Sequence, residues 1–167
     1  MTLIESLVGD ITQIEVDAVV NAAKTSLSGG SGVDGAIHAA AGPQLLEACL
    51  PLAPCPTGEA RVTPGFELPA KFVVHTVGPV WQGGQQGEPA QLAACYRNSL
   101  EAAVQVGARS IAFPSISTGI YGYPRELATE VAVAAIKEFV SDNPNAFDQV
   151  VLLWLSEADA ASASRLL

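Results

Sequence analysis

The distribution of hydrophobic and polar residues along the chain predicts strands that alternate with helices. Short segments that are alternating or continuously apolar predict six strands, at residues 3–8, 17–20, 59–66, 71–77, 110–113 and 149–155. Apolar residues at helical spacing and helix-forming stretches predict helices over 33–41, 44–50, 91–106, 124–140 and from 157 onward. Strands and helices in this order, without an internal repeat, favour an α/β domain with a largely parallel sheet.

Length and composition fit a single domain that spans residues 1–167. A chain of 167 residues with 49% hydrophobic and 15% charged residues can bury a substantial core. Its 17 acidic and 8 basic residues give a net charge of −9. The basic residues are scattered and form no run or stripe, which argues against nucleic acid or an anionic membrane as the main partner.

The cysteines and the N-terminus bear on the cellular compartment. Cys49, Cys55 and Cys95 are odd in number and widely spaced, which favours reduced thiols over a disulfide framework and fits no zinc pattern. Residues 1–10 do not resemble a signal peptide, and no uncharged apolar span of about 18 residues occurs. We therefore expect a soluble, cytoplasmic protein that does not contact membranes.

A glycine-rich run follows the second predicted strand, within residues 19–38. Gly29, Gly30 and Gly32 can adopt positive φ angles and have no Cβ to block a ligand. A helix is predicted to start directly after them, and its unbonded first-turn amides suit an anion such as a phosphate. The order of residues matches neither the G-x-x-x-x-G-K-[ST] loop nor the dinucleotide fingerprint G-x-G-x-x-G.

Four polar residues near this run each have two interpretations. Asp34, in the first helical turn, either stabilises the helix dipole or acts on a ligand. His38 can pair with it one turn later, but no serine or cysteine is placed to complete a nucleophilic triad, which favours a packed, hydrogen-bonded histidine. Asp10 either caps a turn over residues 11–13 or accepts from a ligand amine. Asn21 either binds a ligand or ties neighbouring loops together.

A second segment of this kind, residues 115–124, follows the strand at 110–113. The hydroxyls of Ser117 and Thr118 precede a glycine turn, and Pro124 is predicted as the first residue of the next helix. A strand, a glycine turn and a helix start again arrange amides for an anion. Two such loops at the ends of adjacent strands could hold the two phosphates of one pyrophosphate.

Two other features receive a structural interpretation. His75 lies alone in a β-branched run, so we expect it to be hydrogen-bonded within the sheet rather than to bind a metal. Residues 81–88, with the sequence W-Q-G-G-Q-Q-G-E, predict a polar surface loop that is able to move.

Five blocks of sequence resemble the macro domain family, and more narrowly its MacroD-type branch of ADP-ribose hydrolases. They cover nearly the whole chain in the family's order. The blocks are G-D-I-T (9–12), V-N-A-A (20–23), G-V-D-G-A-I-H (32–38), L-P-A-K-F-V-V-H-T-V-G-P (68–79) and S-I-S-T-G-I-Y-G-Y-P (115–124).

The resemblance implies a three-layer α/β/α sandwich around a mixed, largely parallel sheet, with ADP-ribose bound at the strand ends. It implies hydrolysis of the ester in O-acetyl-ADP-ribose and removal of mono-ADP-ribose from acidic side chains, without a metal or cofactor. Asp10 and the Ile11 amide would bind adenine, residues 117–121 the pyrophosphate, and residues 32–34 would lie beside the distal ribose. The implied ligand-binding residues are Asp10, Ile11, Asn21, Gly32, Val33, Ser117, Thr118, Gly119, Ile120, Tyr121 and Leu155.

Asp34 and Lys24 are the catalytic candidates that the resemblance implies. An aspartate with an ordinary pKa of about 3.9 is a weak base at neutral pH, so we expect Asp34 to orient a water that attacks the acyl carbonyl. Lys24 stands where the family motif N-A-A-N has its last asparagine. It could pair with Asp34, bind a phosphate or ribose hydroxyl, attack the anomeric carbon, or point into solvent.

Two more departures and two alternative functions complete the sequence-based expectations. Ser31 interrupts a run that is commonly all glycine, and Leu155 stands where relatives often place an aromatic residue against adenine. Because Lys24 replaces the asparagine of the family motif, one alternative is a module that binds ADP-ribose without catalysis. An ADP-ribose-1″-phosphate phosphatase would use the same cleft.

Overall fold

The computed structural model describes residues 1–167 and contains six strands and five α-helices. The strands are β1 (Leu3–Val8), β2 (Ala18–Ala22), β3 (Ala60–Pro64), β4 (Phe72–Thr76), β5 (Ser110–Phe113) and β6 (Gln149–Trp154). The helices are α1 (Gly32–Ala41), α2 (Gln44–Cys49), α3 (Glu88–Gln105), α4 (Arg125–Asp142) and α5 (Glu157–Ser164). A short 3-10 helix, Leu50–Leu52, follows α2. The predicted order of strands and helices is confirmed.

All six strands belong to one sheet, in the order β1-β6-β5-β2-β4-β3. Neighbouring strands run parallel except β3, which pairs antiparallel with β4. The sheet is therefore mixed and largely parallel, as predicted. The carboxyl ends of β2, β4 and β5 are neighbours at one edge, which is where ligands bind in open α/β sheets.

Helices cover both faces of the sheet and create two separate hydrophobic cores. Alternate residues of a strand face opposite layers. Val19 and Val73 belong to the core beneath α1 and α2, whereas Val20 and Val74 belong to the core beneath α3, α4 and α5. This arrangement confirms the predicted three-layer α/β/α sandwich. No helix has the length and apolar character needed to cross a membrane.

The starts of three helices differ from the sequence-based prediction, and α1 begins at Gly32, one residue before the predicted start. Helix α3 begins at Glu88 rather than at Gln91. The pattern of apolar residues did not predict its first turn because that turn is polar. Pro89 favours a helical φ there. The prediction that Pro124 is the first residue of α4 was wrong. Pro124 precedes the helix with an extended ψ of 130°, and Arg125 is the first helical residue.

The loop over residues 82–88 folds around a buried carboxylate. The backbone N–H groups of Gln82 and Gly84 donate to Glu88 Oε2, and that of Gln86 donates to Oε1, at 2.6 to 2.9 Å. Burial alone would raise the pKa of Glu88, but the amide donors outweigh it and hold the pKa at about 2. The loop is thus held by a charged acceptor supplied by the helix that follows it.

Candidate active site

A cleft of about 380 Å³ lies at the carboxyl ends of the central strands. Two segments form its opposing walls. The glycine wall consists of residues 22–24 and 30–34, which follow β2 and include the start of α1. The amide wall consists of Ser115, Ile116, Ser117, Gly119, Ile120 and Tyr121, which follow β5. Gly78, shortly after β4, completes the lining.

The glycine wall presents the N-terminus of α1 to the cleft. The backbone N–H groups of residues 32–34 donate no hydrogen bond within the chain, and the hydroxyl of Ser31 does not cap the helix. These amides carry the positive end of the helix dipole. A Cβ on Gly35 would lie 2.5 Å from the carbonyl oxygen of Gly30, so glycine is needed for the loop to lie directly on the helix.

Asp34 is only 5% exposed, and its two carboxylate oxygens have different surroundings. Oδ1 accepts a hydrogen bond from Asn21 Nδ2 at 2.9 Å and lies 3.4 Å from His38 Nε2. Oδ2 has no hydrogen-bond partner in the protein. Buried polar atoms without a partner are rare, so Oδ2 is the atom available to a water or a ligand. The Asp-His pair considered from the sequence is present, with Asp34 also held from a second side.

Two polar strand residues lie behind Asp34 rather than in the cleft. Asn21, expected to touch the ligand, is fully buried, does not line the cleft, and donates to Asp34 and to His75 Nδ1. His75 is also fully buried and hydrogen-bonded at both ring nitrogens, to Asn21 and to Thr63. This confirms the prediction that His75 is hydrogen-bonded within the sheet. Asn21 supports Asp34 because its strand position faces the α1 layer, as Val19 does two residues earlier.

Lys24 is exposed and lines the cleft, but it forms no ion pair with Asp34. The pairing considered from the sequence is therefore absent. A Cβ on Gly30 would lie 3.2 Å from Asp34 Oδ2 and 3.6 Å from Lys24 Nζ. Gly30 thus occupies the position between the carboxylate and the ammonium group. An alanine there would be tight against Asp34 Oδ2 and in ordinary contact with Lys24 Nζ.

The amide wall is built from backbone groups. The N–H groups of residues 117–121 donate no hydrogen bond within the chain. The loop keeps its shape through two bonds of its own, from Tyr123 N to Ser117 O at 2.9 Å and from Gly122 N to Gly119 O at 3.0 Å. Consecutive free amides in a turn form a concave site for an anion. The predicted anion-binding character of this segment thus has a structural basis.

Ser117 and Gly78 fix the position of the amide wall. Ser117 has a φ of +68°, which is uncommon for a residue other than glycine, and its buried hydroxyl has no partner. A Cβ on Gly78 would overlap Ser117 Oγ, so only glycine at this position allows the loop to lie against the end of β4. Backbone strain of this kind occurs where the surrounding structure enforces it, often at functional sites.

The residues expected to bind adenine lie beside the cleft and do not line it. Asp10 Oδ1 caps a turn by accepting from Thr12 N at 2.9 Å and from the Thr12 hydroxyl, and these bonds lower the pKa of Asp10. Ile11 is buried, whereas Leu155 is 85% exposed. Since Val8 pairs with the residue before Leu155, the structure brings these residues together at one edge of the sheet.

The sequence analysis assigned some cleft residues and missed others. Thr118 does not line the cleft, because its hydroxyl bonds that of Ser115. The missed lining residues are Ala22, Ala23, Gly78, Ser115 and Ile116. Gly78 carried the clearest signal, since a glycine and a proline directly follow an apolar strand there. Ala22 and Ala23 carried no such signal, because small apolar residues at strand ends are as common in hydrophobic cores as in clefts.

Comparison with known proteins gives consistent matches. A model of the Macro domain family matches residues 20–132. The O-acetyl-ADP-ribose deacetylase of Citrobacter rodentium is 51% identical over 163 residues, which are 95% of this chain and 92% of that protein. ADP-ribose glycohydrolase MACROD2 of Xenopus laevis is 55% identical over 152 residues, which are 90% of this chain but 36% of the relative.

The fold also matches a solved structure closely. A mutant macrodomain of Oceanobacillus iheyensis with ADPR superposes with a TM-score of 0.90 at 44% sequence identity. The match covers 96% of this chain and 89% of that one.

Proposed function

The chain belongs to the macro domain family, and we propose that it binds ADP-ribose and hydrolyses esters of ADP-ribose. One observation carries the proposal. Unbonded backbone amides on both walls of one cleft face the same space as a buried carboxylate that has one oxygen without a partner. The deacetylase from Citrobacter rodentium and the ADPR-bound macrodomain support the same conclusion.

The amide wall binds the pyrophosphate in this proposal. The free N–H groups of residues 117–121 donate to phosphate oxygens, and those of residues 32–34 add the positive end of the α1 dipole. Lys24 is the one basic side chain that lines the cleft. Since the whole chain carries a net charge of −9, fixed backbone dipoles rather than a basic surface must attract the diphosphate.

Hydrolysis takes place beside Asp34. Oδ2 accepts a hydrogen bond from a water and directs the water oxygen at the acyl carbonyl of the substrate. A carbon–oxygen bond forms to the water oxygen, the ester bond to the ribose breaks, and one water proton goes to the ribose oxygen. The products are ADP-ribose and acetic acid, which loses its proton to the solvent at neutral pH. The contribution of Asp34 is to orient the water, which can supply several kcal/mol.

Lys24 acts as a binding group in this scheme. It lies across Gly30 from Asp34 without contacting it, so its ammonium is free to donate to a ribose hydroxyl or a phosphate oxygen. Its presence also favours the second candidate function, a reader that binds ADP-ribose without hydrolysing it. The adenine ring lies along Asp10, Ile11 and Leu155, where Asp10 Oδ2 is not used by the turn and accepts from the amino group.

The expected partners are ADP-ribose, its esters and mono-ADP-ribosylated proteins. Residues 1–167 form one macro domain in this proposal, since all strands share one sheet. We also propose a cytoplasmic location. The three cysteines are free and buried, which suits a reducing compartment.

Two incubations of the purified protein test the proposal. One uses O-acetyl-ADP-ribose and the other a peptide ADP-ribosylated on glutamate, with release of ADP-ribose followed by chromatography. We expect turnover of the acetyl ester and measurable ADP-ribose binding by calorimetry. Binding without turnover of either substrate would favour the reader, and absence of binding would refute both functions. ADP-ribose-1″-phosphate, tested with phosphate release, separates the phosphatase from both.

A further inference from the structure

A row of buried polar side chains crosses the sheet beneath Asp34. Thr63 on β3, His75 on β4 and Asn21 on β2 are at most 3% exposed and lie on three adjacent strands. All three face the layer of α1 and α2, whose core is otherwise apolar. The row ends at Asp34 Oδ1 on α1.

The hydrogen-bond directions in this row follow from the donors available. Asn21 Nδ2 carries two hydrogens, and it lies 2.9 Å from Asp34 Oδ1 and 3.1 Å from His75 Nδ1. His75 Nδ1 must therefore accept, which puts the ring proton on Nε2. Nε2 lies 3.0 Å from Thr63 Oγ1, and the Thr63 hydroxyl donates onward to the carbonyl of Pro64 at 3.1 Å.

The neutral state of His75 keeps these directions fixed. Burial, and secondly the neighbouring His38, lower the pKa of His75 to about 3. The thiol of Cys49, 3.5 Å from His75 Nε2, is uncharged because burial and the Asp34 charge raise its pKa to about 11. A protonated imidazole would place a donor at Nδ1 and turn the Asn21 amide around. The amide oxygen would then meet the carboxylate of Asp34, which repels it.

We propose that His75 is a positioning residue for Asp34. Its Nδ1 accepts one N–H of Asn21, which leaves the other N–H to hold Asp34 Oδ1 and leaves Oδ2 without a protein partner. The inference rests on the proposed hydrolysis, in which Oδ2 orients the water. A sheet-stabilising role alone would not need the fixed tautomer, because an apolar row of the same shape would stabilise the core equally well.

Two substitutions at His75 and one control test the inference. His75→Leu removes the acceptor, whereas His75→Asn keeps an oxygen close to the position of Nδ1. Thr76→Val, one residue further along β4 on the opposite face of the sheet, removes a part-buried hydrogen bond to the carbonyl of Glu59. We expect His75→Leu to lower kcat for O-acetyl-ADP-ribose about tenfold or more, because small misplacement of a catalytic group is costly.

The variants also differ in what they leave unchanged. In His75→Leu the Kd for ADP-ribose should stay within about threefold of the wild-type value. His75→Asn should recover most of kcat. Thr76→Val should keep the wild-type kcat although its Tm is lower. Equal losses of kcat in His75→Leu and Thr76→Val would overturn the inference. So would a loss in His75→Leu that appears in Kd and not in kcat.

Nitrogen-15 NMR of the imidazole keeps the inference separate from the proposed function. The proton on Nε2 and an acceptor shift at Nδ1 are expected in the wild-type protein at neutral pH, and loss of the His75 acceptor should shift the Asn21 side-chain amide. A proton on Nδ1 would overturn the inference whatever the turnover. Absence of turnover in the wild-type protein, with this tautomer present and ADP-ribose bound, would refute the hydrolase function alone.

Discussion

The two walls of the cleft are built in different ways. The glycine wall places a side chain at the site, since Asp34 is oriented through Asn21 and His38. The amide wall places backbone N–H groups there, and its shape depends on the left-handed Ser117 and on the missing side chain of Gly78. The glycine wall therefore depends on side-chain identity, whereas the amide wall depends on backbone conformation.

This difference separates chemistry from affinity. Loss of Asp34 should lower turnover while ADP-ribose still binds, because the amides of residues 117–121 are untouched. Changes that move the amide wall should weaken binding first. Four substitutions test this division, beginning with the one of largest expected effect.

Asp34→Ala should abolish most hydrolysis without loss of binding. We expect kcat for O-acetyl-ADP-ribose to fall about 100-fold or more, since the water loses the group that orients it. The Kd for ADP-ribose should change by less than about threefold. Single-turnover kinetics and calorimetry measure the two quantities. Unchanged turnover would remove Asp34 from the mechanism, and an equal loss in both would contradict the division between the walls.

Gly78→Ala should do the opposite. Its Cβ would overlap Ser117 Oγ and push the amide wall outward, so we expect the Kd for ADP-ribose to rise about tenfold. Gly65→Ala is the matched control. Its Cβ would overlap the carbonyl of Ala70 in the turn between β3 and β4, which lowers stability at a place away from the cleft. Equal Kd values for the two variants would show that Gly78 affects only folding.

Lys24→Asn tests the one charged group of the glycine wall that forms no ion pair. We expect a Kd for ADP-ribose that is about threefold higher at low salt, and a smaller difference at high salt, because screening weakens the attraction of an exposed ammonium for phosphate. The value of kcat should change less than the Kd. A gain in kcat of about tenfold or more would instead make Lys24 a brake on hydrolysis and the native protein mainly a reader.

Glu88→Gln should have the smallest effect on the site and a distinct dependence on pH. The loop that Glu88 holds continues into Trp81, whose N–H donates to Tyr121 O at 2.8 Å in the amide wall. We expect a Kd about twofold higher, with kcat unchanged.

The same variant tests the low pKa of Glu88. Because the folded-state pKa is held at about 2, the carboxylate stabilises the protein fully above the ordinary pKa of a glutamate. This contribution is lost as the pH falls through about 2. The difference in Tm between wild type and variant should therefore be largest near neutral pH and shrink on acidification. A difference that grows on acidification would contradict the bonding of Glu88.

Much of the fold could be predicted from local sequence. Buried strands such as Ser110–Phe113 are short apolar runs with clear limits, and helix α1 ends at a glycine-proline pair. The start of α3 could not be predicted from periodicity, because Glu88 faces a loop rather than the core. Its partners are the backbone N–H groups of Gln82, Gly84 and Gln86. Residue types do not show which backbone groups bind a side chain.

The site was predictable in its loops and less so in its side chains. Glycines and a predicted helix start indicate the two loops that form the walls of the cleft. A strand end does not tell which face a side chain occupies, so the sequence alone could not place Asn21 behind Asp34. The spatial relation of Lys24 to Asp34 is also not predictable from the sequence, since ten residues and a turn separate them along the chain. Proximity across a loop depends on backbone angles that residue types specify only weakly.

The amide wall has a consequence for how the protein can diverge. In the proposed function, residues 117–121 bind the pyrophosphate with backbone N–H groups, which every residue except proline possesses. The exposed side chain of Ile120 is therefore free to change through neutral substitutions, while Gly78, which contributes no atom to bonding, is constrained. Among descendants of this chain, the most invariant position near the pyrophosphate should be the one without a side chain.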